Sequence, residues 1–340
     1  MTRIFLIRHA EAEGNLYRIA HGQYNGLITD RGYRQIEVLR RRFENEHIDA
    51  VYSSDLFRAR TTARAIYEPK GLPLNLEPAF REIHMGIWEG RLWQELNTEF
   101  EEQMFCFNRK LDGFGVEGSE TCQQVLDRFL PALRNVAEKH EGQTVAVFSH
   151  GAAVRMVLGT LQGLPLSEVG ETPHGDNTAV ALIEYDGGNF RVVYMNDNSH
   201  QVEAGLSTFA KQTWWRDKRM MSGGQYYRPM DEDTARKFNV PEGGVSLAVW
   251  FNGEAVGAVQ LLPEKDPAVG WIGYYYLRED MRGRNYGIPP LGQAVMYYRE
   301  RGIDRLRIET DDANIRGFFA HYGFYPLEGN VMEKYTGYGE

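Results

Sequence analysis

The 340-residue sequence holds only two cysteines, Cys106 and Cys122. That excludes a disulfide framework and a thiolate zinc site. No run approaches the roughly eighteen apolar residues a bilayer span requires, so no membrane partner is expected. The opening Met1-Thr2-Arg3-Ile4-Phe5-Leu6-Ile7-Arg8-His9 has too short an apolar stretch for a signal peptide and reads as a strand; the expected location is cytoplasmic. Positive charge is also in deficit, with 38 lysines and arginines against 47 acidic residues and a net charge of −9. Polyanions such as nucleic acid are therefore not expected partners, and an anionic ligand must be held by a few local basic groups. Internal repeats, low-complexity tracts, a HExxH zinc motif and a GxSxG nucleophile elbow are absent as well. What remains is a globular composition, 42% hydrophobic and 12% aromatic. At this length it fills two domains. Nothing in the sequence fixes an oligomeric state.

Two textures follow one another. Up to about residue 200, apolar runs alternate with helical patterns. Arg3–Ile7, Asp49–Ser53 and Thr144–Phe148 read as buried strands. Helices are expected from Thr29 to about Asn45, from a cap at Ser54 or Asp55 to about Tyr67, over 119–139, and after Phe148 through Leu161. Asp186-Gly187-Gly188-Asn189 joins two strands as a hairpin. Strands alternating with helices indicate an α/β sheet covered on both faces. Beyond about residue 203 the pattern becomes an α+β meander. Strands are expected at Val245–Phe251, Ala255–Leu262, Val269–Leu277 and Arg305–Thr310, with helices over 289–301 and 314–322. The expected division is a first domain over 1–203, a linker or docking segment over 204–224 and a second domain over 225–340. A docking helix over 206–221 would carry Trp214 and Trp215 as packing residues.

The first domain gathers the residues an anion needs. One strand ends in Arg8-His9 and another in Ser149-His150. Ligand groups in open α/β sheets collect at strand carboxyl ends, so both histidines face one crevice. Arg58 falls at the start of the helix after Ser53-Ser54, and helix N-termini add free N–H groups. Together these describe a phosphate pocket. His9, Glu82, His84 and His150 could instead ligate a metal, but Arg8 and Arg58 would repel a cation, so no metal is expected.

Four ordered motifs then carry a resemblance. Leu6-Ile7-Arg8-His9-Ala10-Glu11 is followed by Asn15, Gly22 and Thr29-Asp30-Arg31-Gly32; next come Ser53-Ser54-Asp55-Leu56-Phe57-Arg58-Ala59-Arg60-Thr61-Thr62-Ala63, Arg81-Glu82 with Gly86-Ile87-Trp88-Glu89-Gly90, and Phe148-Ser149-His150-Gly151. Over about two hundred residues this resembles the histidine phosphatase (phosphoglycerate mutase-like) superfamily, with Ala10 where the family usually has glycine. The resemblance implies a three-layer α/β/α fold and a phosphohistidine formed on His9. Arg8, Arg58 and His150 would stabilise the transferring phosphoryl group, with Asn15 and the Gly22 backbone as further donors. Glu82 would act as general acid and base, without a metal. The Glu82-x-x-x-Gly86-x-Trp88-Glu89-Gly90 run resembles the small-molecule phosphatase branch. Ala152 stands where mutases carry asparagine, which leaves a mutase as the alternative. Residues 91–118, the expected lid, combine Arg91, Arg109 and Lys110 with Trp93, Phe105, Phe107 and Phe114, which suits a small phosphorylated organic substrate and equally an ordinary covering loop.

The second domain carries Arg282-Gly283-Arg284-Asn285-Tyr286-Gly287 between a strand ending at Leu277 and a helix beginning near Pro289. Such a loop can wrap N–H groups around a diphosphate. With strand, helix and His321-Tyr322-Gly323-Phe324-Tyr325 following, it resembles the GNAT N-acetyltransferase family. The resemblance implies an α+β fold and acetyl-CoA held by residues 282–287, the acyl arm lying along the strand to Leu277. Asn285 replaces a family glycine, and Phe319 replaces the tyrosine that protonates the thiolate. Tyr322, Tyr325 or water would have to supply that proton. A non-catalytic CoA-binding or structural module is the alternative.

Overall fold

A computed structural model describes residues 1–208 and 225–338. The chain divides into two compact units, Met1–Arg91 with Glu99–Asp217, and Leu92–Thr98 with Lys218–Glu340. Trp214, Trp215 and most of the expected docking helix lie outside the described residues.

In chain order the first part forms β1 (Thr2–Arg8), α1 (Glu13–Tyr17), α2 (Asp30–Arg42), β2 (Ala50–Ser53), α3 (Phe57–Lys70) and β3 (Leu74–Leu76). Helices α4 (Trp93–Glu99), α5 (Glu101–Arg109) and α6 (Cys122–Lys139) follow, then β4 (Thr144–Ser149), α7 (Gly151–Leu161), β5 (Val180–Asp186), β6 (Asn189–Asp197) and α8 (Ser199–Glu203). The six strands form one sheet in the order β3-β2-β4-β1-β5-β6. Its first four strands are parallel, and β5 and β6 close the edge antiparallel. Alternation along β1 sends Phe5 and Ile7 into a core with Leu39 and Phe43 of α2 and Ala63 and Ile66 of α3. Ile4 and Leu6, fully buried, face the opposite layer, where α6 and α7 lie against β1. This is the α/β/α sandwich expected. Thr29 caps α2 by accepting from the Gly32 N–H, and Thr121 with Gln124 forms a capping box at α6.

One local expectation fails. Helix α3 starts at Phe57 with Leu56 at its N-cap and no side-chain cap. Both expected cap residues are engaged elsewhere: Asp55 pairs with Arg81 at 2.7 Å, and the Ser54 hydroxyl meets His150 at 2.8 Å.

The second unit contains β7 (Gln225–Pro229), α9 (Glu232–Phe238), β8 (Val245–Phe251), β9 (Glu254–Leu261), β10 (Gly270–Leu277), α10 (Ile288–Arg299), β11 (Arg305–Glu309), α11 (Ala313–His321), β12 (Tyr325–Pro326) and β13 (Val331–Tyr335). Its seven strands are ordered β12-β13-β11-β10-β9-β8-β7. All neighbours are antiparallel except β10 and β11, which α10 connects. The β10–β11 ladder holds from Gly270 to Ile272 only, while β10 runs on to Leu277. The two strands therefore separate, leaving one edge of Gly273–Leu277 without a ladder partner among the described residues.

Candidate active site and acyl-CoA loop

The register of the central strands sets the first site. Arg8 of β1 pairs with Ser149 of β4, so His9 and His150 leave the sheet side by side. Their ring centroids are 5.3 Å apart. The His9 N–H donates to the Ser149 carbonyl at 2.9 Å, which fixes the backbone of His9. The Nδ1 of His9 lies 2.7 Å from the Ala10 carbonyl. A carbonyl only accepts, so Nδ1 carries the proton and Nε2 keeps its lone pair. Burial, then Arg58 and Arg8, hold the imidazole well below its usual pKa, so it is neutral at neutral pH.

Around it stand two buried cations and a second neutral imidazole. Arg58 is fully buried; its guanidinium donates to the carbonyls of Gly22 at 2.7 Å and Tyr24 at 2.8 Å. Burial lowers its pKa to about 10, which leaves it charged. Arg8 donates to the Gly175 carbonyl at 2.5 Å, and its guanidinium passes 3.1 Å from where a Cβ on Gly151 would sit. His150 is also shifted well down, by burial and then Arg58. Arg8 Nε, Arg58 Nε and His150 Nδ1 are buried without a hydrogen-bond partner among the described residues. Such orphans cost about 1–3 kcal/mol each, and an anion is the ligand that satisfies them.

Glu82 sits at the start of α7. Its carboxyl accepts from the N–H groups of Ala153 at 2.8 Å, Ala152 at 3.0 Å and Ile83 at 3.1 Å. Asn15 uses its carbonyl oxygen for the Ala12 N–H and the Asn177 amide, so its own amide N–H faces outward as the donor. Gly22, at φ 48°, offers its carbonyl to Arg58; a Cβ there would lie 2.1 Å from a Glu89 oxygen. All seven residues expected in the pocket thus belong to one connected constellation. Among the described residues no group of three or more His, Cys, Asp or Glu side chains is disposed to hold a metal ion.

Several contributors escaped the sequence reading. His21 accepts the Gly14 N–H at 2.6 Å, and its ring lies 6.5 Å from His9. Asn177 donates to the His9 carbonyl at 3.1 Å. Asp176 accepts from Ser207 at 2.6 Å and Thr208 at 2.5 Å, tying residues just before the undescribed stretch to the floor of the site. The polar Asp176-Asn177-Thr178 run immediately before a buried strand was the available signal.

The loop over 282–287 is built differently. Arg282 through Asn285 are exposed, with Gly283 at φ 70° and Asn285 at φ 64°. The positive φ expected of Asn285 is therefore present, and successive N–H groups can converge on an anion. Residues 282–287 run as consecutive turns between β10 and α10. These features fit a diphosphate. Helix α10 contributes less than expected, since Pro289 and Pro290 remove two N–H groups from its first turn and Ile288 N turns back to the Asn285 carbonyl at 3.4 Å. Arg282 is partly committed, donating from Nε to the Leu277 carbonyl at 2.7 Å. Phe319 is wholly buried against Tyr275 and Phe324. Of the replacement acids considered, Tyr325 donates to Glu333 at 2.5 Å.

Comparison with known proteins follows the same division. Residues 4–198 match the family model of the histidine phosphatase superfamily (branch 1), and residues 210–324 that of the acetyltransferase (GNAT) family. Phosphoserine phosphatase 1 of Hydrogenobacter thermophilus is 30% identical over 207 residues, 60% of this chain and 96% of that protein. The probable phosphoglycerate mutase GpmB of Photorhabdus laumondii is 33% identical over 165 residues, covering 48% and 77%. Among solved structures, Bacillus stearothermophilus YhfR matches with TM-score 0.57 and 29% identity, over 59% of this chain and 99% of that one. A phosphoserine phosphatase mutant (H9A) from Entamoeba histolytica, in complex with phosphoserine, matches with TM-score 0.53 and 25% identity, over 59% and 99%. Among the described residues no helix is long and apolar enough to cross a membrane. With motifs, sandwich and family model in agreement over 4–198, the chain belongs to the histidine phosphatase superfamily, and its second part carries a GNAT-family match.

Proposed function

We propose that the first unit is a phosphomonoester hydrolase acting on a small phosphorylated metabolite through a phosphohistidine. The observation that carries this is the neutral His9, with its Nε2 lone pair free, beside the buried unpartnered guanidinium N–H donors of Arg8 and Arg58 and the orphaned His150 Nδ1. Nε2 attacks phosphorus as the ester P–O bond breaks. The departing oxygen takes a proton from the Glu82 carboxyl. Water then attacks the phosphohistidine; Glu82 takes the water proton, the N–P bond breaks and inorganic phosphate leaves. The arginines and His150 hold the three equatorial oxygens throughout. No metal enters this scheme.

Phosphoserine is the first substrate to try, because the relatives named for it are 30% and 25% identical. The alternative is a phosphoglycerate mutase-type phosphotransferase, the activity in the name of the GpmB relative. The test is hydrolysis of an aryl phosphate, phosphoserine and phosphoglycerates in EDTA, with alkaline quenching to trap the acid-labile, base-stable phosphoprotein. Turnover in EDTA with phosphoprotein labelled on His9 supports the hydrolase. Complete loss in EDTA, or equal rates for His9→Ala, overturns it. Phosphoryl transfer between phosphoglycerates with little release of phosphate would favour the mutase.

For the second unit the proposal is acyl-CoA binding by residues 282–287, acetyl transfer being the dependent activity. The groups present would hold the diphosphate on loop N–H groups and charge from Arg282 and Arg284; the open edge of Gly273–Leu277 suits the amide-bearing acyl arm. Bound acetyl-CoA would supply an activated acyl group. The two free cysteines and this ligand suit a reducing, cytoplasmic setting.

A further inference from the structure

Glu82 does not lie on a helix or strand, yet a proton donor displaced by about 1 Å loses most of its advantage. Something outside the residue must fix residues 79–84. Arg128 on α6 reaches across to that segment. One guanidinium nitrogen donates to the carbonyls of Ala79 at 2.7 Å and Arg81 at 2.8 Å; the other donates to the carbonyl of Glu82 itself at 2.9 Å. The remaining N–H groups form a two-pronged pair with Glu120, at 2.8 and 2.9 Å. All five donors of Arg128 are thereby used, a geometry lysine cannot reproduce. Glu120 completes the strap by accepting the His84 N–H at 2.8 Å. Gln23, next to the Gly22 that anchors Arg58, donates to the Glu82 carbonyl at 3.2 Å.

We propose that Arg128 and Glu120 are a positioning pair for the general acid. The pair ties the backbone on both sides of Glu82, so that its carboxyl is presented at the start of α7 beside His150. Neither residue is given any contact with the reacting atoms; both act through Glu82. The proposal rests on the reading of Glu82 as the acid, and the test separates the two. An alkyl phosphate needs its leaving oxygen protonated, whereas a nitrophenolate departs unaided.

The experiment compares p-nitrophenyl phosphate with glycerol phosphate for the full-length wild type, Glu82→Gln, Arg128→Lys, Glu120→Gln and the Glu82→Gln/Arg128→Lys double variant. The expected result for Arg128→Lys is a kcat/KM loss of about 10–100-fold on glycerol phosphate and less than about threefold on the nitrophenyl ester, because kcat/KM reports the first transfer and not the shared hydrolysis of the phosphohistidine. Glu120→Gln, the milder change, should show the same selectivity at smaller amplitude. In the double variant the lysine should add no further selectivity, because the group it serves is already gone. If Glu82→Gln lowers kcat/KM alike for both substrates, the reading of Glu82 as the acid fails. If Glu82→Gln is selective but Arg128→Lys and Glu120→Gln slow both esters equally or neither, the pair is only structural and the proposal is overturned.

Discussion

The His9 pocket and the 282–287 loop, the two proposed phosphate sites, both gather positive groups, but they do so by opposite construction. In the first, Arg8, His9, Arg58 and His150 are buried, and each is held by a backbone carbonyl or a neighbouring side chain. In the second, Arg282 to Asn285 are exposed, and the organised element is the backbone itself. Buried, pre-aimed charges act at low effective dielectric and need no rearrangement as the transition state forms, which suits chemistry. Exposed arginines are screened by solvent and salt, which suits binding. The difference implies that single substitutions should be far more damaging in the pocket than in the loop.

The sharpest way to break that contrast is His9→Ala. It should lower phosphatase turnover by about a thousandfold or more and abolish the acid-labile phosphoenzyme, read by quench-flow. Arg58→Ala comes next, with an expected loss of about 100–1000-fold, since a charge aimed at the phosphoryl oxygens is removed. It should also move a pH profile. His9 must be neutral to attack, and Arg58 is among the causes holding its pKa down. Removing that cation raises the His9 pKa, so the acid limb of kcat/KM should shift to higher pH in the variant. A limb that stays in place would mean that burial and the remaining cation, Arg8, set His9 without Arg58.

A third prediction concerns stability at the pocket's far edge. His200 Nδ1 accepts from Arg42 at 3.0 Å, leaving Nε2–H to meet the Thr178 hydroxyl at 3.0 Å. Burial, then Arg42, lower its pKa to about 4, against the opposing pull of Asp197 and Asp176. The unfolded chain takes up this proton near pH 6.5 and the folded chain only near 4. Stability should therefore fall as pH drops through that window, by roughly 3 kcal/mol from this residue. His200→Gln, which keeps a donor and an acceptor but does not titrate, should make the acid slope of Tm visibly shallower. It will not be flat, because His9 and His150 are buried neutral too.

How much of this was legible beforehand follows from the same physics. Strand ends were readable, because the apolar runs at Arg3–Ile7 and Thr144–Phe148 stop where Arg8-His9 and Ser149-His150 begin, and β1 and β4 bring those ends into register. The hairpin at Gly187-Gly188 was readable from residues that adopt φ 53° and 86°. The cap of α3 was not, since Ser54 and Asp55 satisfy the local rule equally well and their real partners, His150 and Arg81, are distant in sequence. His21 and Asn177 escaped for the same reason: each acts through a backbone group that only the folded chain brings near. The tautomer of His9 depends on one carbonyl and carries no sequence signature at all. At the loop, the two prolines were expected in the first turn of α10 and stand there; the N–H groups they remove from that turn are what the reading left out.

The smallest effects, and the finest test of the contrast, lie in that loop. If the backbone is the cradle, shape should matter more than side-chain charge. Asn285 holds φ 64°, which asparagine tolerates and a β-branched residue resists by about 1–2 kcal/mol. Asn285→Val should therefore weaken acetyl-CoA binding about tenfold by distorting the N–H groups that face the diphosphate, while Asn285→Gly should leave it within about threefold. Arg284→Glu reverses an exposed charge, and its effect should fall steeply between low and high salt, vanishing toward about 1 M. Calorimetry of the full-length protein with acetyl-CoA at two salt concentrations reads all three. A loss in Arg284→Glu that exceeds the Asn285→Val loss and survives high salt would mean that the guanidinium is a fixed contact, and that the two sites are built alike after all.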